Sequence, residues 1–322
     1  MAVGLIVGGF ILVITGSSPV VAYRAMLVGA LAPENWPDTL NWAAPTVGMT
    51  LVAAIPLRAG LLNLGGDGQL VVGGIVAALV PLYLPLPGPL VLIVAMLGAV
   101  IAAGLYALLA AWGEIRRGIP MLVSSLLLRY PAVGVTSYLV TFPLRDTSTS
   151  LDQTRMIPPG ARLPVLSGPL NISVLLILIV VVMAVYIDRR TVHGFEIRMR
   201  GLNPRFAGYG GVDLDRQIYQ IMFASGAIAG LVGATIVLGS HFRFINDGLT
   251  SPSYGPTGFM AALLAGGDPV GSILSGLFFA ALQVGGFAMQ RETDVPRVLT
   301  MVLQAVIILF LALRTGLARQ AR

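Results

Sequence analysis

From Pro89 to Trp112 the chain carries no charged side chain. Wound as a helix, that run rises about 36 Å at ~1.5 Å per residue, enough to cross a hydrocarbon core ~30 Å thick. Comparable apolar runs extend from Ala2 to Val21, Leu40 to Leu57, Ile119 to Val140, Asn171 to Ile187, Ile218 to Gly239 and Val298 to Leu313. Two more end near Tyr83 and near Met289. In lipid the backbone must satisfy its own hydrogen bonds, which restricts such runs to helices. With 56% hydrophobic and only 11% charged residues, the expected fold is all-α. It is a polytopic membrane protein of about ten transmembrane segments, some discontinuous or re-entrant, forming one membrane domain over residues 1–322. The opening run lacks a basic segment and a clear cleavage site, and reads as a retained first span.

The interruptions carry most of the information. Tyr23 to Asp38, with Pro33, Trp36 and Pro37, reads as a broken interfacial stretch, and Pro45 and Pro56 mark the next span as kinked or discontinuous. Arg58 to Gln69 holds Gly60, Gly65, Gly66 and Gly68 beside Asn63, Asp67 and Gln69. Such a turn either lies at the surface or lines a cavity, because exposed backbone at membrane depth has no partners. Residues 141–170, rich in Pro, Thr and Ser, read as an outer loop. Thr257 to Ala265 is too short to span, and Gly266-Gly267-Asp268-Pro269 breaks it from the segment that follows. Gly226, Gly230 and Gly233 form a small-residue face for close helix packing.

The longest polar interruption is the 188–217 loop, with Arg189, Arg190, Arg198, Arg200, Arg205 and Arg216. Within it Asn203 is placed to cap a short helix, Pro204 suits its first position, and Gly210 or Gly211 suits its left-handed end. A two-turn helix on a membrane loop is a docking knob. Eleven Arg fall on the same side as this loop: Arg116, Arg117, those six, Arg314, Arg319 and Arg322. The opposite loops are electrically balanced, so the basic bias places the loop and both termini in the cytoplasm.

All 20 basic residues are Arg. Without Lys there is no Walker A phosphate loop, and without Cys there is neither disulfide nor thiolate chemistry. His193 and His241, both read as solvated loop residues, are too far apart for a metal pair. A net charge of +6 is compatible with nucleic-acid binding, but the Arg follow the loops and form no single stripe. An ion-driven carrier would be expected to show paired acids within spans, whereas Asp67 and Asp268 fall in glycine turns. No Ser/His/Asp arrangement for an intramembrane enzyme is evident. Arg129, near the middle of the Ile119–Val140 span with Ser124 and Ser125, is the clearest candidate for a functional polar group, and Asp67 is its nearest carboxylate.

Three stretches together resemble a known family. They are Arg58 to Gln69, with its Asn63-Leu64-Gly65 and Asp67-Gly68-Gln69 elements, Gly194 to Gly211, and Tyr254 to Pro269. They are similar to the membrane subunits of ABC importers in the branched-chain amino-acid and simple-sugar permease family, and the nearer likeness is to nucleoside-type permeases. The resemblance implies a permease without its own ATPase site or cofactor, in a bacterial cytoplasmic membrane. It implies cytoplasmic ATP-binding subunits, a second related permease and an extracytoplasmic solute-binding lipoprotein as partners. It places Asn63, Gly66, Asp67, Gln69, Ser124, Ser125, Arg129 and Phe259 on the substrate pathway. Arg198, Arg200, Gly201, Asn203, Pro204, Phe206, Ala207 and Tyr209 fall in the loop that engages the ATPase. Nucleosides are the implied solute and simple sugars the alternative. Asp67 stands where the family has Glu, Pro120-Met121 where Asn-Glu is common, and Arg129 where Asn is common.

Overall fold

A computed structural model describes residues 18–167 and 170–293, with residues 6, 9, 10, 12–14 and 302. The expected last span, Val302 apart, and half of the expected first lie outside the described residues. The helices are α1 (Pro19–Leu31), α2 (Trp36–Arg58), α3 (Gly66–Tyr83), α4 (Gly88–Arg117), α5 (Met121–Thr141) and α6 (Ser173–Arg190). There follow α7 (Val192–Leu202), α8 (Pro204–Tyr209), α9 (Leu214–Ile236), α10 (Tyr254–Leu264) and α11 (Pro269–Thr293). A two-stranded antiparallel pair, Val165–Ser167 with Leu170–Asn171, is the only sheet among the described residues. Among the described residues, six helices are long and apolar enough to cross a membrane. The chain is a multi-pass, all-α membrane protein.

Several boundaries differ from expectation. Most of the presumed interfacial stretch is helix α1, and the break narrows to Ala32–Asn35, where Pro33 opens a short 3-10 turn. Helix α2 runs unbroken through Pro45 and Pro56; the interruption comes after it, at residues 59–65. The basic loop contains a second helix, α7, capped where the Thr191 hydroxyl accepts from the Gly194 N–H at 3.2 Å. His241 closes a π turn at Val237–His241 and is half-buried. The 141–170 segment lies across that turn in extended hydrogen bonding, Thr154 N–H to the Phe244 carbonyl and Ile157 N–H to that of Phe242.

Helix α9 is the axis of the bundle, and its glycines explain why. A Cβ on Gly230 would lie 2.3 Å from the Ala99 carbonyl oxygen of α4, and one on Gly233 would lie 2.3 Å from the Leu70 carbonyl of α3. From the other side, a Cβ on Gly73 would meet the Gly230 Cα at 2.3 Å. Backbone therefore touches backbone on two sides of α9, which only glycine permits. Helix α4 answers with buried Ala95, Ala99, Ala103 and Ala107, spaced one turn apart, and turns Leu97, Ile101 and Leu105 outward, as a lipid-facing helix does. Gly230→Leu is expected to lower thermal stability by at least the ~1–3 kcal/mol of a well-packed site forced open. Gly134→Ala, with nothing within 4 Å of its Cβ, should be near neutral. Thermal unfolding of the purified protein separates the two.

Candidate functional site

Two helices begin inside the bundle. After α2 ends at Arg58, residues 59–65 turn back inward, with Ala59, Leu61 and Asn63 buried, and α3 starts at Gly66. Gly66 packs on the Met49 side chain, nine residues back along α2, which places the start of α3 about 14 Å from the end of that helix. Helix α10 has only 11 residues, about 16 Å of rise, and is the half-span expected from its length. It begins beside Asp67: the Gly255 N–H donates to Asp67 Oδ1 at 3.0 Å. The amino termini of α3 and α10 thus meet in the interior and place the positive ends of two helix dipoles around one carboxylate.

Asp67 is 2% exposed, and Arg129 Nη2 lies 3.0 Å from its Oδ2. The carboxylate therefore joins α3, α5 and α10 through one charge pair and one backbone hydrogen bond. Glycine is required where α10 arrives, because a Cβ on Gly255 would fall 2.1 Å from Asp67 Oδ1.

A cavity with about 570 Å³ of empty space adjoins this pair. Asn63, Gly66, Asp67, Arg129 and Phe259 line it, together with Met49, Leu64, Leu126 and Met260. The inner glycine turn is thus a cavity wall, the second of its two readings. Gln69, Ser124 and Ser125 do not line the cavity. Gln69 and Asn63 exchange amide hydrogen bonds at 3.2 and 3.3 Å, and Asn63 also donates to Ser225 at 2.9 Å. Ser225 in turn donates to the Val52 carbonyl, and Ser125 accepts from the Leu64 N–H. Ser124 bonds to carbonyls of Ala110 and Met121. These groups lock the re-entrant turn to α2, α5 and α9. Ser225 and Gly255 are the members that sequence reasoning missed, and only the small size of both hinted at a close approach.

At the end of the bundle that carries the basic loop, α8 is built as its sequence demands. The Asn203 side chain accepts from the Phe206 N–H at 3.1 Å, Pro204 occupies the first turn, and Gly211 takes a left-handed φ of 87°. Phe206 and Tyr209 are 64% and 92% exposed, whereas Ala207 is fully buried. Arg198 and Arg200 do not join that exposed face. Arg198 donates to the Asp188 carbonyl, and its Nη1 lies 3.4 Å from the Asp188 carboxylate. Arg200 is buried and donates to the Leu214 carbonyl at 2.7 Å. Burial pushes its guanidinium below the usual range, while Glu114 and Asp215 pull it back. A Cβ on Gly201 would sit 2.1 Å from the Arg58 carbonyl, so the loop bears on the point where α2 gives way to the re-entrant turn. Arg58 also bridges Asp188 at 3.2 Å and Asp268 at 3.5 Å, tying the 266–269 turn to the same joint.

Residues 37–312 match the family described as the permease component of branched-chain amino acid transport systems. The glucose ABC transporter permease protein TsgB13 of Haloferax volcanii is 33% identical, over 95% of this chain and 84% of its own. The guanosine ABC transporter permease protein NupP of Bacillus subtilis is 29% identical, over 96% and 90%. The nucleoside ABC transporter permease protein NupB of Lactococcus lactis subsp. cremoris is 28% identical, over 97% and 88%.

Proposed function

This chain belongs to the permease-component family of branched-chain amino acid transport systems, and on that premise we propose that it forms the transmembrane path of an ATP-driven importer of nucleosides. The reading includes about ten spans, both termini in the cytoplasm, and assembly with a related permease, an ATP-binding subunit and an extracytoplasmic solute-binding protein. ATP is hydrolysed by the partner, since a chain without Lys has no Walker A loop.

The observation that carries the choice of solute is the interior cavity between two helix amino termini. Its only charges among the described residues, Asp67 and Arg129, compensate each other, which favours an uncharged solute. Phe259, Met49, Met260 and Leu126 offer the apolar, polarisable surface that suits the face of a nucleobase, while Arg129 supplies the polar edge. The amino terminus of a half-span helix, α10, meeting that of α3 inside the bundle is similar to the pattern of transporter binding sites.

Coupling follows from contacts. A push on α8 is carried by α7 to the Gly201–Arg58 contact, then through residues 59–65 to Asn63 and the start of α3 at the cavity. The likeness at 33% to a glucose permease favours a second reading, in which a simple sugar uses the same path. Uptake of labelled guanosine and adenosine by cells carrying the complete system is expected, with unlabelled nucleosides competing better than glucose, ribose or galactose. A sugar that competes better than every nucleoside would overturn the choice.

A further inference from the structure

At the end of the bundle away from the basic loop lies a chamber with about 950 Å³ of empty space, walled by α1, the start of α2 and the last turns of α11. Asn35, Asp38, Arg291 and Glu292 make its lining polar, and the last three are exposed. Its largest apolar surfaces are the part-exposed rings of Trp42 and Phe287, with centroids 5.0 Å apart and planes inclined by 53°. Two acids and one Arg leave the wall slightly acidic, which disfavours an anion and offers both donors and acceptors to a neutral guest.

The chamber and the Asp67 cavity share one face of α2. Asp38, Trp42, Met49 and Val52 follow at spacings of four, seven and three residues, which keeps them in line along the helix. The first two line the chamber and the last two the Asp67 cavity. Trp42 thus ends the chamber on that face, two turns or about 10 Å from Met49. Its ring lies against that of Tyr254, with centroids 5.8 Å apart. Tyr254 is 5% exposed and immediately precedes Gly255 and Pro256, which line the Asp67 cavity. The Trp42–Tyr254 contact therefore stands between the two spaces. Helix α2 is weakest at the same level: Pro45 denies the Asn41 carbonyl its helical donor, and the Thr46 hydroxyl turns back to donate to the Trp42 carbonyl at 3.0 Å, an arrangement that bends helices.

With the chain read as the path of an importer, we propose that this chamber is the outer solute site. An uncharged, ring-bearing solute sets its apolar body against Trp42 and Phe287 and its hydroxyls on Asp38, Arg291 and Glu292. The Trp42–Tyr254 contact closes the chamber from the Asp67 cavity, and a tilt of α2 at Pro45 opens the way between them.

The chain contains no Cys, so a single introduced thiol reports on its own surroundings. The test uses the complete importer in right-side-out vesicles without ATP, exposed to a membrane-impermeant thiol reagent. Asn35→Cys reports on the chamber and Met260→Cys on the Asp67 cavity. Asn35→Cys is expected to label readily, and adenosine or glucose at on the order of 10 mM to slow it several-fold, as for a site with Kd ~1 mM. Met260→Cys should label about tenfold more slowly, and adding Trp42→Ala should remove most of that difference, because access then no longer waits for local opening. Where Trp42→Ala does not fold, Trp42→Leu carries the same expectation. Trp42→Phe keeps a ring against Tyr254 and should keep Met260→Cys slow. Met260→Cys labelling that stays slow with Trp42→Ala or Trp42→Leu, or is already fast with Trp42→Phe, overturns the proposal. So does absence of labelling at Asn35→Cys, or labelling there that neither solute slows. Import of a sugar in place of a nucleoside would change the cargo and leave every one of these expectations intact.

Discussion

Arg129→Ala is expected to leave little folded, transport-competent protein. The change strands Asp67, 2% exposed, without its 3.0 Å counter-charge at the start of α3. Breaking a buried ion pair from one side costs about 3–5 kcal/mol, and because Arg129 is 34% exposed, solvent screening moves the estimate toward about 3 kcal/mol. A loss of that size is a large fraction of the stability of an ordinary domain. The double variant Arg129→Met with Asp67→Asn removes both charges yet keeps an oxygen to accept from the Gly255 N–H. It should recover most of the folded yield. Thermal unfolding of Arg129→Met, Asp67→Asn and the double gives the coupling energy. Transport by the double variant then separates two roles: recovered uptake assigns the pair to holding α3, α5 and α10 together. Recovered folding without uptake assigns Arg129 to the solute. Additive losses in stability would sink the ion-pair account.

The second large effect is expected at α8. Truncating both Phe206 and Tyr209 to Ala should reduce uptake by more than tenfold while membrane insertion and thermal stability stay at parental levels. The two rings are 64% and 92% exposed, so neither supports the fold, and under the proposed function they are what α8 offers to the ATP-binding partner. Losing two such anchors costs ~2 kcal/mol or more each, enough to weaken docking of the ATP-binding partner many-fold. Basal ATP hydrolysis by the partner should persist but cease to respond to solute. Asn203→Ala, which deprives the Phe206 N–H of its 3.1 Å acceptor, should give a milder version through about 1 kcal/mol of lost capping. Unchanged solute-dependent uptake in the double Ala variant would refute the docking role of this helix.

What the chain determines by itself is whatever depends on neighbours in sequence. Uncharged runs such as Pro89 to Trp112 dictate membrane helices because lipid accepts no other backbone. Asn203, Pro204 and Gly211 dictate α8 because a cap, a first-turn proline and a left-handed glycine act within one turn of helix. Thr191 wrote the start of α7 in the same terms, although the surrounding charges made the segment read as loop. The short run after Tyr254 declared a half-span by its length alone. Arg129 announced that its charge needed an offset, either a carboxylate such as Asp67 or a polar feature of the pathway, and the fold brings it to Asp67.

Tertiary structure decided where polar groups face, because those partners lie far apart in the chain. Asn63 and Gln69 read as a pathway lining, yet Gln69 is withdrawn from the cavity by Asn63, and Asn63 is anchored by Ser225, 162 residues away. Arg200 read as part of a docking surface, yet the Leu214 carbonyl draws it inside. The small size of Gly255 and Gly201 did not say which groups, a carboxylate and a carbonyl oxygen, occupy the space their side chains would need. Local composition reports how much polarity a segment carries; only the packing of α2, α3, α5, α9 and α10 together determines which of those groups satisfy one another and which are left facing a cavity.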